Sequence, residues 1–158
     1  MKMVVMAILV LLITTASGTL VSDSIKNNYE KHADKEHPTM GLLEVRVDDV
    51  IPALGNDMMI IVTIDNATKW NVYDAVMTGG MAYIDAYMQY KSQLPDKAMI
   101  YVNKAGGILI GSGVVYKKWV DDWYASPNHY GQKGYSDAAD RVFVMKMMNA
   151  TNVWTWQL

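Results

Sequence analysis

The run Asn71–Leu94, NVYDAVMTGGMAYIDAYMQYKSQL, decides how this chain folds. Val72, Ala75, Val76, Gly79, Ala82, Tyr83, Ala86, Tyr87 and Tyr90 recur at spacings of three and four. A second set, Met77, Met81, Ile84 and Met88, covers much of the remainder. Residues three and four apart share one side of a helix, so the spacing predicts a long helix with a wide apolar face. Pro95 ends it. Gly79-Gly80 in its middle costs roughly 1 kcal/mol per glycine relative to alanine. Close packing against a sheet or a partner would justify that cost.

On the N-terminal side of this helix, Met58 to Ile64 is an apolar run interrupted only by Thr63. Its length and β-branching predict a central strand. Before it, Leu43, Val45 and Val47 alternate with Glu44, Arg46 and Asp48, a period of two that buries one face and wets the other. Pro52, Gly55 and Asn56-Asp57 supply the turn between the two. Beyond Pro95, Ala98–Val102 and Ile108–Tyr116 are apolar runs joined by Asn103-Lys104-Ala105-Gly106-Gly107, which reads as a hairpin. Gly111 and Gly113 within the second run imply a bulge or a close backbone approach.

Lys117 to Ala125 places Trp119, Val120, Trp123 and Tyr124 opposite Lys117, Lys118, Asp121 and Asp122, as a short amphipathic helix does. Residues 126–134 read as a loop. Ser136 is an N-cap type, Asp137 and Asp140 suit a helix N-terminus, and Ala138, Val142, Met145 and Asn149 continue at helical spacing. The alternating tail Trp154-Thr155-Trp156 suits an additional edge strand. The expected fold is therefore α+β: a mostly antiparallel four-stranded sheet in the order β-β-α-β-β, one long helix on a face and two shorter C-terminal helices.

The first residues carry a different signal. Met1-Lys2 precedes an unbroken apolar run, Met3 to Ile13, and then Thr14-Thr15-Ala16-Ser17-Gly18. A positive start, an apolar stretch and small residues for cleavage describe a secretory leader. We expect residues 1–22 to be such a leader or a retained N-terminal membrane anchor, 23–39 a polar linker or frayed helix, and 40–158 one globular domain. The chain of 158 residues has no cysteine, so disulfides cannot staple an exported domain of this kind. The expected location is outside the cytoplasm: extracellular, periplasmic or on the cell surface of a prokaryote. Asn66-Ala67-Thr68 and Asn149-Ala150-Thr151 match the glycosylation acceptor pattern.

A net charge of −2 with no basic block gives nucleic-acid binding no electrostatic support. Nucleophilic catalysis needs a nucleophile beside a base, and the three histidines lie apart, His32 and His37 in the polar stretch and His129 in the loop. His32 and Glu36 would face one way on a helix. Together with Asp34 and His37 they form a weak metal pattern, read here as solvated residues. Asp48-Asp49 and Asp121-Asp122 read as surface pairs, and Gly106 to Gly111 joins two strands and so reads as a turn, not a phosphate loop. No catalytic residue, metal ligand or cofactor is assigned.

The aromatic group is the most informative about binding. Trp119, Trp123, Tyr124, Tyr130 and Tyr135 fall within one short segment. Flat rings on a surface stack on sugars or grip a peptide. The expected function is a non-enzymatic, exported or membrane-tethered envelope domain that binds a protein or glycan partner through these rings or a sheet face. A structural subunit of a surface assembly, or a small envelope enzyme, is the alternative. Contact with a membrane is expected only through residues 1–22.

Overall fold

The computed structural model of the chain describes residues 20–51, 57–126 and 138–158, with backbone alone at 49–51 and 138. Four helices and five strands follow in order. They are α1 (20–36), β1 (Leu42–Ile51), β2 (Asp57–Ile64), α2 (Lys69–Tyr90), β3 (Lys97–Lys104), β4 (Ile108–Tyr116), α3 (Lys117–Ala125), α4 (Ala138–Asn149) and β5 (Asn152–Val153). The architecture is α+β, built on one five-stranded mixed sheet in the order β1-β2-β3-β4-β5.

Both hairpins form as expected: β1 pairs antiparallel with β2, and β3 with β4. Three of the four strand pairings are antiparallel, as a mostly antiparallel sheet requires, and the four-stranded expectation is refined in two respects. First, β2 and β3 run parallel, in unbroken register from Met58↔Ala98 to Ile64↔Lys104. A helix inserted between two adjacent strands returns the chain to the end where it began, so the second strand runs the same way as the first. Second, β5 adds a fifth strand, pairing Gly111↔Val153 and Ser112↔Asn152. It lies just before the Trp154–Trp156 tail expected to supply it. The tail turns instead into a 3-10 segment, Thr155–Gln157, with Trp154 N–H donating to Ile110 O at 2.9 Å.

One face of the sheet is buried. Val45, Met58, Ile60, Val62, Ile64, Ala98, Ile100, Val102 and Val115 lie on it within a single core cluster. The intervening residues, Met59, Ile61, Met99, Tyr101 and Val114, are half-buried on the opposite face and stand outside that cluster. Helix α2 seals the buried face. Thr68 caps it, its Oγ1 accepting from Asn71 N–H at 3.1 Å. Gly79 allows the contact with the sheet, because a Cβ there would lie 2.8 Å from Ile100 Cδ1. Gly80 likewise admits Met147 and Phe143 of α4.

Residues 23–39, read as a polar linker or frayed helix, lie largely within α1. Val21, Ile25, Tyr29 and Ala33 are buried and belong to the core. These four recur every fourth residue, which places them on one stripe of the helix. The polar residues between them are exposed or, like His32, half-buried, apart from the buried Ser22. Tyr29 Oη donates to Ala75 O at 2.9 Å and pins α1 to α2. The proposed leader, apart from residues 20–22, lies outside the described residues. Among those described, no helix is long and apolar enough to cross a membrane.

Candidate binding cleft

Helices α1, α2 and α4 do not close completely over one another. A cleft of about 490 Å³ remains, lined by His32, Lys35 and Glu36 of α1, Met81, Ile84 and Asp85 of α2, Trp123 of α3, and Asp140, Phe143 and Val144 of α4. Its walls are apolar where α2 meets α4 and polar at the α1 rim.

His32 organises the rim. One helical turn separates it from Glu36, and its Nδ1 lies 3.0 Å from Glu36 Oε1. Its Nε2 lies 2.8 Å from Asp85 Oδ2, across the gap to α2. The doubly protonated ring donates to both carboxylates, whereas either neutral tautomer donates to one. His32 is thus held between two acids rather than solvated. Because Glu36 and Asp85 sit at opposite ring nitrogens, they do not converge on one point. Among the described residues no group of three His, Asp or Glu side chains is placed to hold a metal ion. His37 lies apart, its Nδ1 3.5 Å from Asp74 Oδ2.

Trp123 forms the opposite wall. Its indole Nε1 donates to Asp140 Oδ1 at 2.6 Å, linking α3 to α4. The same indole borders a second hollow of about 220 Å³, lined also by Trp119, Asp122, Val142, Phe143 and Lys146. Trp119 and Trp123 are both half-buried, and they share this lining. Trp119 packs edge-on against Tyr116, ring centroids 4.8 Å apart.

Tyr124 goes elsewhere. It is exposed and lies 6.2 Å from the ring of Tyr87, at the junction of α2 with α3. There Tyr87 Oη donates to Asp121, and Lys91 Nζ lies 3.1 Å from the same carboxylate. The bond from Tyr87 holds the Asp121 carboxyl below its ordinary range, aided by Lys91. Burial, followed by the bond to Asp121, pushes the Tyr87 hydroxyl up. Asp121 is therefore a link between helices, while its neighbour Asp122 lies on the surface with Lys118 Nζ at 3.1 Å. Tyr130 and Tyr135 lie outside the described residues.

Of the aromatic residues singled out in the sequence, Trp123 lines the larger cleft. The rest of the lining was not read as a binding surface, though His32 and Glu36 stood in a weak metal pattern. His32 and Glu36 did carry a signal, their spacing of four. Asp85 carried another: it is the one charged residue between Asp74 and Lys91, on a mostly apolar span of helix. No family model, curated protein or solved structure matches the chain.

Proposed function

We propose that this chain is an exported or membrane-tethered module of a prokaryotic envelope that binds a protein or glycan partner without transforming it. The observation that carries the binding reading is the cleft between α1, α2 and α4. A volume of about 490 Å³ lies in the range of small-molecule sites. Apolar walls with a few polar groups are the usual composition of such sites, and here the polar groups line the rim. Trp123, Ile84 and Phe143 offer flat and aliphatic surface to a sugar ring or an apolar side chain. Glu36, Asp85 and Asp140 offer acceptors to hydroxyl or ammonium groups. The export reading rests on Met1-Lys2, the apolar Met3–Ile13 and the small residues that follow.

The test is a titration with soluble cell-wall oligosaccharides and with short peptides, followed by tryptophan fluorescence and NMR. Trp123→Ala and Asp85→Asn should each weaken binding about tenfold or more, as losing a stacking ring or a charged acceptor that the ligand covers does. Trp70→Ala, at an exposed ring outside the cleft, should leave it unchanged. No binding to either class, or equal losses at all three positions, would remove the reading.

A structural subunit is favoured by one observation: Trp156 is 75% exposed near the β5 edge. The long helix, by contrast, is no assembly contact along its buried stripe, since Val72, Ala75, Val76, Tyr83 and Ala86 already belong to the core.

A further inference from the structure

Strand β1 closes one end of the sheet order, so one of its edges has no strand beside it among the described residues. At ten residues it is a long edge strand and it contains no proline. Unpaired edge amides and carbonyls are a template for another strand. Register shifts at Leu42/Glu44 and Asp48/Ile51 bracket a regular stretch, Glu44 to Asp48. Bulges of this kind limit open-ended pairing and leave a short segment competent for it.

We infer that the Glu44–Asp48 edge of β1 pairs antiparallel with the same edge of a second copy of this chain, about a two-fold axis at Val45. The charge pattern selects both the occupant and the register. With the axis at Val45, Glu44 of each copy faces Arg46 of the other, so two opposite-charge pairs form. Placing the axis at Arg46 sets Arg46 against Arg46 and Glu44 against Asp48, all like charges, which is unfavourable across a ladder. An axis at Val47 pairs Arg46 with Asp48 of the other copy but carries the pairing past Asp48 into the register shift before Ile51. A slip by one residue sets Val45 beside Arg46 and exchanges the faces.

The environment of these residues fits the arrangement. Glu44 is exposed, and the Arg46 side chain is 61% exposed. Arg46 already holds Asp48 in its own chain at 2.9 Å, which keeps its guanidinium above that face of the strand. Val45 and Val47 face the helices, so the two buried faces join into one side of a ten-stranded sheet. Leu43, an exposed residue at the register shift, comes beside Val47 of the second copy and gains cover. The same patch meets itself, as a two-fold interface requires.

The test uses the full chain in density-matched detergent, with mass measured by sedimentation over a range of concentrations. The natural chain should show a monomer–dimer equilibrium. Glu44→Arg alone sets arginine against arginine, and Arg46→Glu alone sets glutamate against glutamate. Each should weaken self-association by about tenfold to thirtyfold. An equimolar mixture of the two variants restores both opposite-charge pairs and should recover the dimer. Unchanged circular dichroism would show that both fold. A natural chain monomeric at every concentration, single variants that dimerise as before, or a mixture that stays monomeric would each overturn the proposal.

Discussion

At Gly113 a single methyl group would strike the core helix. A Cβ there would meet the Val76 side chain of α2, and one at Gly111 would meet Val72. These two glycines leave room on β4 for the Val72 and Val76 side chains of α2. Adding carbon to a filled core costs typically 1–3 kcal/mol, so Gly113→Ala should lower stability by about that much. Val76→Ala removes the obstructing methyl groups. Combined with Gly113→Ala it should cost less than the two single changes added together, because residues in contact do not act independently. Urea unfolding of the two singles and the double gives the comparison, and strict additivity would show that the contact is not what excludes alanine. The close approach at Gly111 and Gly113 was legible in the sequence, because glycine inside an apolar strand has few other uses. The pairing of His32 with Asp85 was not, since the two stand 53 residues apart and only the folded chain joins them.

At the scale of elements, legibility followed the strength of the periodic signal. Helix α3 occupies Lys117–Ala125, the span its amphipathic pattern marks out. Helix α2 starts two residues before the expected Asn71 and stops at Tyr90, short of Leu94, where the chain enters a turn. Strand faces were readable too, because alternation tells which side is buried. Strand direction was readable within each hairpin from its short turn, while the parallel pairing of β2 with β3 follows from the helix that joins them. Helix α1 was the largest gap. Its stripe of Val21, Ile25, Tyr29 and Ala33 is only one residue wide, and its composition is otherwise that of a linker. This helix bears on the proposed leader. Cleavage after Ser22 would remove Val21, which is 3% exposed, and with it roughly 1.5–3 kcal/mol of apolar burial. Cleavage after Ser17 or Gly18 leaves the stripe whole. The mature chain from native cells should therefore begin before Leu20. Mass determination of its N-terminus checks this, and a chain starting at Asp23 would contradict it.

Across the whole molecule, three tyrosine hydroxyls hold the helical layer to itself and to the loop after α2. Tyr29 Oη donates to Ala75 O, Tyr83 Oη to Pro95 O at 2.5 Å, and Tyr87 Oη to Asp121. Burial raises the pKa of all three above the ordinary value of 10.0, with nearby Asp74, Asp96 and Asp121 adding to it. A raised pKa means that the folded protein keeps a proton which the unfolded chain releases. The associated stability is complete below pH 10 and declines as the pH rises past it, since ionised tyrosine accumulates only in the unfolded state. The urea midpoint should accordingly hold steady near pH 8 and fall between pH 10 and 11. Tyr29→Phe removes the most deeply buried of the three. It should lose about 1 kcal/mol at pH 8 with the hydrogen bond, and it should flatten the alkaline decline. Lys91 and Lys97, whose pKa values are raised by their bonds to Tyr87 and Asp57, share this sign, so the tyrosine share is read from the Tyr29→Phe difference. Asp121, whose carboxyl lies below its ordinary range, works in the opposite sense, losing its contribution only as the pH falls below about 4. A midpoint that stays constant from pH 8 to 11, or a Tyr29→Phe variant with the full natural slope, would show that these hydroxyls do not govern the alkaline limit of the fold.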